Sequence, residues 1–319
     1  MKTSTLVTDL ILEAFQLQAS DIHFLAVEEE VKIFFRIQTE LKLQRCVDKE
    51  TYIKILRYVK FKTKLDISNT TTPQDGAYSI VTHNNKKLFI RISTMPAIGL
   101  ESLVVRLLPD EEHSSFESIA LFPDDLKQMY NVLKEQNGLF VFTGPTGSGK
   151  STSMYSILTK LAKDAKKKIL TLENPVEMIN RELVQININE ELGITYSAGL
   201  KFALRQDPDI IMIGEIRDEE TARNVFRAAL TGHTVISTMH TKDKYGVVER
   251  FLDFGFLKSE IESVLIGISN QRLVVDQNND TKSFFDYAVN QDLHDLINNK
   301  EQKDIYEKIK ELKTTKKII

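Results

Sequence analysis

The sequence predicts an α/β protein: a doubly wound, mainly parallel sheet, preceded by a smaller α+β domain. Three observations carry that prediction. Apolar runs at 139–142, 168–172, 209–213 and 234–238 alternate with helical or loop sequence, as βα units of a parallel sheet do. Residues 144 to 151 read Gly144-Pro145-Thr146-Gly147-Ser148-Gly149-Lys150-Ser151 and stand between the first of those runs and a helical pattern from Thr152 to Ala162. Before residue 109 the chain reads instead as short β-like segments with two helical patterns.

Taken in order, the first element is a helical pattern from Thr5 to Leu17. Asp9 and Glu13 sit inside its apolar spacing, so it reads as an amphipathic helix and not as a signal peptide. Strand-like segments follow at Val31 to Ile37, Ala77 to Thr82, Lys87 to Ile92 and Leu103 to Leu108, with a second helical pattern at Thr51 to Phe61. Residues 1–108 are therefore expected to form the α+β domain. Residues 109–118, PDEEHSSFES, hold turn formers and acids with almost nothing apolar, which marks a linker or hinge. Residues 119–282 are the expected α/β core. Beyond 282 the chain reads as charged and helical, with Ile305, Ile309 and Leu312 at helical spacing, so 283–319 is expected to be a helical segment packed by one face.

Composition sets outer bounds. A chain of 319 residues, 42% hydrophobic and 27% charged, is an ordinary globular protein of about two domains. The net charge of -3 argues against a protein that coats nucleic acid. Cys46 is the single cysteine, which excludes an internal disulfide and fits a reducing, cytoplasmic compartment. No apolar run approaches the ~20 residues that span a bilayer, so a membrane role is expected to be peripheral.

The segment Gly144 to Ser151 matches the G-x-x-x-x-G-K-[ST] pattern of a phosphate-binding loop, and its strand–loop–helix setting is the one that the motif requires. Glycines let successive backbone N–H groups converge on phosphate oxygens, and the helix that opens at Ser151 and Thr152 adds the positive end of its dipole. In such a loop Lys150 reaches the β- and γ-phosphates and Ser151 ligates Mg²⁺.

Three further strand ends carry polar clusters. Thr171-Leu172-Glu173-Asn174-Pro175-Val176-Glu177 places two carboxylates after an apolar run; near a metal–triphosphate they orient water or hold the metal's water shell, and elsewhere they are an acidic turn. The stretch from Asp209 to Ile213 is a buried strand that delivers Glu215 at its carboxyl end, the place of a metal-linked or water-activating acid. Arg217 either pairs with Asp218 or reaches a phosphate. In Thr231 to Thr241, His240 stands at the carboxyl end of another strand, where it can bond a γ-phosphate, whereas His233 reads as a satisfied polar group. A histidine metal pair is not expected, because no third ligand of suitable spacing is near.

These clusters, in this order, resemble the secretion ATPases of type II secretion and type IV pili. GPTGSGKST is similar to that family's Walker A sequence, LENPVE to its aspartate box, RQDPDIIMIGEIRD to its Walker B region and TGHTVISTMHT to its histidine box; Gln271-Arg272-Leu273 resembles a downstream element. The likeness reaches the first domain through Ala19-Ser20-Asp21-Ile22-His23, Pro73-Gln74-Asp75-Gly76 and Arg91-Ile92-Ser93-Thr94-Met95-Pro96, continuing to Val105-Arg106-Leu107-Leu108, and spans about residues 5 to 275. The resemblance implies a RecA-like P-loop NTPase core behind a PAS-like domain, ATP with Mg²⁺, and a homo-hexameric ring at the inner face of the cell membrane. It implies an inner-membrane platform protein as partner, pilins as indirect partners, and no direct contact with nucleic acid. It also implies that Arg91 and Arg106 close over the phosphates, where a guanidinium neutralises charge on the transferred group. On this reading Glu215 polarises the attacking water and helps hold Mg²⁺ with Ser151, partly through water, while Glu173 and Glu177 hold the metal's water network.

Departures narrow the expectation. Asn174 stands where the family usually has aspartate. No cysteine follows Leu273, so the two-CxxC zinc site of many relatives has no ligands here. The chain starts directly at the PAS-like domain, without the additional domain of many pilus-extending relatives. A short, zinc-free chain with one cysteine resembles the competence-pilus ATPases of Gram-positive bacteria, whose work supports DNA uptake. Retraction ATPases, and a nucleotide-dependent scaffold without catalysis, are the alternatives.

Overall fold

The computed structural model describes residues 3–27, 30–37, 40–82, 87–109, 116–176, 178–190, 193–298, 305–315 and 318. The chain forms two units, Met1–Glu111 and Glu112–Ile319. Most of the expected hinge, residues 110–115, lies outside the described residues.

The first unit runs α1 (Thr3–Gln16), β1 (Ala19–Val27), β2 (Glu30–Ile37), β3 (Glu40–Asp48), α2 (Lys49–Lys62), β4 (Gln74–Val81), β5 (Lys87–Met95) and β6 (Ser102–Pro109). Its six strands form one antiparallel sheet in the order β3-β2-β1-β6-β5-β4. Side chains alternate along a strand. One face therefore collects Ile22, Phe24, Ile33, Phe35, Ile90, Ile92 and Val105, which pack with Leu10, Ile11, Ile55 and Val59 of the two helices. The register sets His23 opposite Phe34, and Arg91 opposite Arg106, on the other face. Asp48 caps α2 by accepting from the Thr51 amide at 2.8 Å. Lys60 is buried but paired: its ammonium donates to Glu101 at 2.6 Å and to the Asn69 carbonyl at 2.7 Å, which meets the cost of burying a charge. The apolar pattern did not foretell β1 or β3. Leu41 and Leu43 are exposed on the edge strand β3, where alternation marks no core face.

The second unit continues with α3 (Pro123–Glu135), β7 (Gly138–Thr143), α4 (Lys150–Asp164), β8 (Ile169–Glu173), β9 (Val184–Asn187), α5 (Tyr196–Leu204), β10 (Ile210–Ile213), α6 (Glu219–Leu230), β11 (Thr234–Met239), α7 (Tyr245–Asp253), α8 (Lys258–Val264), β12 (Leu265–Val275), β13 (Thr281–Val289), α9 (Asn290–Ile297) and α10 (Ile305–Thr314). Seven strands order as β13-β12-β7-β11-β10-β8-β9, all parallel to their neighbours except β13. The doubly wound form follows from strands buried on both faces. Leu139, Val141, Ile211, Ile213 and Val235 pack toward Ala222, Val225, Val247 and Phe251. Phe140, Phe142, Met212 and Ile236 pack toward Leu126, Met129, Ile157 and Leu158. Strand β12 lies tight against β7: a Cβ added to Gly267 would sit 2.3 Å from the Phe140 ring, so this approach admits only glycine.

The expected helical segment 283–319 is corrected at its start. Residues 283–289 belong to strand β13, which pairs antiparallel with β12 and buries Phe284, Phe285 and Ala288. The aromatic run Phe284-Phe285 next to Tyr287 favours a strand, and the charges that suggested a helix lie mostly further on. Ile305 is fully buried on α10, with Ile309 and Leu312 packed beside it. Among the described residues, no helix is long and apolar enough to cross a membrane.

Candidate functional site

Three neighbouring strand ends assemble the site. β7, β11 and β10 are adjacent and parallel, so the residues that follow them share one edge, the carboxyl edge at which such sheets bind ligands.

The phosphate loop leaves β7 after Thr143. Gly144, Gly147 and Gly149 take φ of 139°, 77° and 82°, values open to glycine and strained for other residues. A Cβ on Gly144 would lie 2.6 Å from the Gln271 carbonyl oxygen and 2.9 Å from Ser148 Oγ, whereas a Cβ on Gly147 would meet nothing within 4 Å. The loop is thus seated on β12 and open above. Pro145 accepts from the Ser148 amide at 3.2 Å, closing the turn through Thr146. Ser148 Oγ is buried with no partner among the described residues. The Lys150 ammonium donates to the Gly144 and Pro145 carbonyls at 2.8 and 3.0 Å, which places its charge over the loop. Ser151 and Thr152 lie half-buried in the first turn of α4. This set, with an open glycine turn, a buried Ser148 hydroxyl unpartnered among the described residues, an ammonium and the hydroxyl of Ser151 at a helix N-terminus, fits a nucleoside triphosphate.

Beside it, β11 is followed by His240 and Thr241. Thr143 and Thr241 join the two strand ends, their hydroxyls 2.6 Å apart and the Thr241 amide donating to Thr143 at 3.1 Å. On the next strand end, Gly214 leads to Glu215. The Thr238 hydroxyl donates to the Gly214 carbonyl at 2.7 Å, and the Ile216 amide donates to the Thr238 carbonyl at 2.8 Å, so the turn carrying Glu215 is fixed on both sides. Glu215 pairs closely with Arg217, and His240 Nε2 stands 3.7 Å from its other oxygen. The structure therefore brings Glu215, Arg217 and His240 together, and Arg217 pairs with Glu215 where the sequence offered Asp218 or a phosphate. Asp218 instead caps α6, accepting from the Thr221 amide at 2.8 Å. Tyr196, which sequence reasoning passed over, packs its hydroxyl near Gly214; burial, then the Glu215 charge, pushes it up to about 12.

Glu173 behaves differently from its expected role. It is 3% exposed, with its carboxylate turned inward to accept from Tyr155 of α4, from Thr171 at 2.5 Å and from Gln185 at 3.4 Å. Glu177 lies outside the described residues. His233 bonds Thr231 at 3.0 Å, as a satisfied polar group.

In the first unit Arg106 and Arg91 sit directly opposite each other on β6 and β5, an arrangement that like charges disfavour. Each has an acid: Arg106 Nε donates to Asp21 at 2.8 Å, and Arg91 stands 3.9 Å from Asp75. Burial alone would raise the Asp21 carboxyl. The Arg106 and Ser20 hydrogen bonds, with the Arg106 charge, outweigh it and hold Asp21 below the usual carboxylate range.

The family model described as "Type II/IV secretion system protein" matches residues 2–314. The chain belongs to this family. With its phosphate loop intact, this member of the type II/IV secretion family is an ATP hydrolase with a RecA-like core. It is 42% identical over 266 residues to competence protein ComGA of Bacillus subtilis (strain 168), across 83% of this chain and 74% of that protein. It is 36% identical over 270 residues to type II secretion system protein E of Pseudomonas aeruginosa, across 84% of this chain and 53% of that protein. In fold it is similar to the crystal structure of the pilus retraction motor PilT with bound ADP, with a TM-score of 0.76, 24% identity, and coverage of 97% of this chain and 90% of that one.

Arg272 and Tyr155 are site neighbours whose importance the sequence did not announce. Tyr155 stands at an ordinary apolar helix position, and Arg272 carried a signal only through Gln271-Arg272-Leu273.

Proposed function

We propose that this secretion-family ATPase works as a homo-hexameric ring at the inner face of the cell membrane, turning ATP hydrolysis into motion of an inner-membrane platform protein that adds pilins to a competence-type pilus. The observation that carries the reading is an intact phosphate loop that shares the carboxyl edge of the sheet with Glu215, two strand ends away across β11, in a chain similar over most of its length to a competence protein.

Lys150 binds the terminal phosphates. Ser151, and Glu215 partly through water, would hold Mg²⁺, which would supply charge neutralisation at the phosphates. Glu215 takes the proton of the attacking water, and Arg217 and His240 hold its carboxylate in orientation. Glu173 acts at one remove: its buried carboxylate holds Tyr155, and so the helix behind the loop. Arg91 and Arg106, already neutralised in part by Asp75 and Asp21, exchange those acids for phosphate when a site closes. The protein makes no direct contact with DNA.

The test is made in cells. Chromosomal deletion is expected to abolish pili and transformation, and a Lys150→Ala allele is expected to behave as the deletion does. Pili that persist permanently extended would instead mark a retraction motor, and normal pili with Lys150→Ala would mark a scaffold.

A further inference from the structure

The mechanism above uses neither Arg272 nor α10, yet Arg272 lies against the phosphate loop and α10 packs on Arg272. Arg272 lies on β12, the strand on which the loop is seated. A Cβ on Gly144 would come within 3.2 Å of its Nη1, and one on Gly149 within 2.9 Å of Nε2 of the adjoining Gln271. Nη1 donates to Asn270 Oδ1 and to the Gln271 carbonyl, both at 2.9 Å. Nη2 donates at 2.8 Å to the Lys242 carbonyl, two residues beyond His240. One planar cation thus ties the floor of the loop to the segment that carries the histidine, a fork geometry that lysine cannot reproduce.

The guanidinium also lies over the Tyr306 ring of α10, 5.3 Å from its centroid, with the Tyr306 hydroxyl 3.4 Å from Nη2. The same helix is fixed a second time. Lys308 pairs closely with Asp286 of β13, which is fully buried and also accepts from the buried Lys244 at 3.0 Å. Lys244 immediately precedes α7, in the segment whose Lys242 carbonyl Arg272 holds. Helix α10 therefore touches the loop's support at two points that converge on residues 242–244.

We propose that Arg272 is a positioning residue of the nucleotide site and that α10, through Tyr306 and Lys308, sets how firmly it holds the phosphate loop. This rests on the reading of the loop as a nucleotide site. Docking of α10 keeps the Arg272 fork aligned; loosening α10 lets the loop lose its binding geometry, and by linkage nucleotide tightens α10 by the same factor.

The experiment measures affinity of the full chain for a fluorescent ATP analogue. Tyr306→Ala, at a side chain nearly half exposed, is expected to weaken binding roughly three- to tenfold, the scale of a lost cation–π contact, and to raise KM with kcat unchanged. Tyr306→Phe, which keeps the ring, restores wild-type affinity. Arg272→Lys weakens binding at least as much as Tyr306→Ala. In hydrogen exchange of the wild type, the analogue slows α10 amides by the factor that Tyr306→Ala costs in affinity. Wild-type affinity in both Tyr306→Ala and Arg272→Lys, or equal loss in Tyr306→Phe and Tyr306→Ala, overturns the proposal. Lys150→Ala is the separate control: undiminished binding there overturns the loop reading itself.

Discussion

Replacing Lys150 with alanine is expected to lower ATP turnover by roughly a hundred- to a thousandfold, the effect of deleting one preorganised group that stabilises developing charge. The loss should appear in both binding and chemistry. Lys150 is the cation that the structure holds over the loop, bonded to the Gly144 and Pro145 carbonyls, and it stands at the mouth of the glycine turn. Fold and stability should be retained, because the chain around it is held by other means: the loop by β12, and α4 by Ile157, Leu158 and Leu161 in the core. The check is a steady-state ATPase assay beside a thermal melt without nucleotide. A variant that melts as the wild type does and still hydrolyses ATP near the wild-type rate would contradict the assignment.

Glu215→Gln should separate binding from chemistry. An amide keeps the shape of the side chain and can accept from Arg217, but cannot take a proton from water. Single-turnover hydrolysis should fall by about 10²–10⁴, the usual contribution of a general base, while nucleotide affinity stays near that of the wild type. The corresponding Glu173→Gln change should act otherwise. Glu173 is enclosed by Tyr155, Thr171 and Gln185, so its loss loosens α4 and should lower stability more than it lowers the chemical step. Near-normal single turnover in Glu215→Gln would move the proton-accepting role to another acid.

Much of this arrangement was legible in the sequence, for a physical reason. Buried parallel strands read as unbroken apolar runs, and Ile210 to Ile213 and Leu139 to Phe142 are such runs, each followed at once by polar groups at the carboxyl edge. Motif and strand pattern therefore pointed to the same edge. What stayed hidden lies where the site overrides local pattern. Strand β12 carries Ser269, Asn270, Gln271 and Arg272 in its middle, the last two of them against the loop glycines, so the stretch does not read as a core strand. Strand β9 has four residues at a sheet edge, too few for a period to show. Glu173 and Glu215 look alike in the sequence, as acids closing apolar strands. Only packing tells them apart, through the tyrosine on α4 that draws one of them inward.

On the proposed function, ATP is hydrolysed at sites that ring assembly completes, with the loop and Glu215 of the α/β core acting on the nucleotide and Arg91 and Arg106 neutralising its charge. The most direct measurement is ATPase activity per subunit across a range of protein concentration, with the mass of the assembly determined at each point. Activity per subunit should rise steeply as the hexamer forms, and the Arg91→Ala, Arg106→Ala double variant should form the same hexamer without that rise. Full activity in the isolated subunit, or a double variant that turns over as the wild type does, would contradict the account.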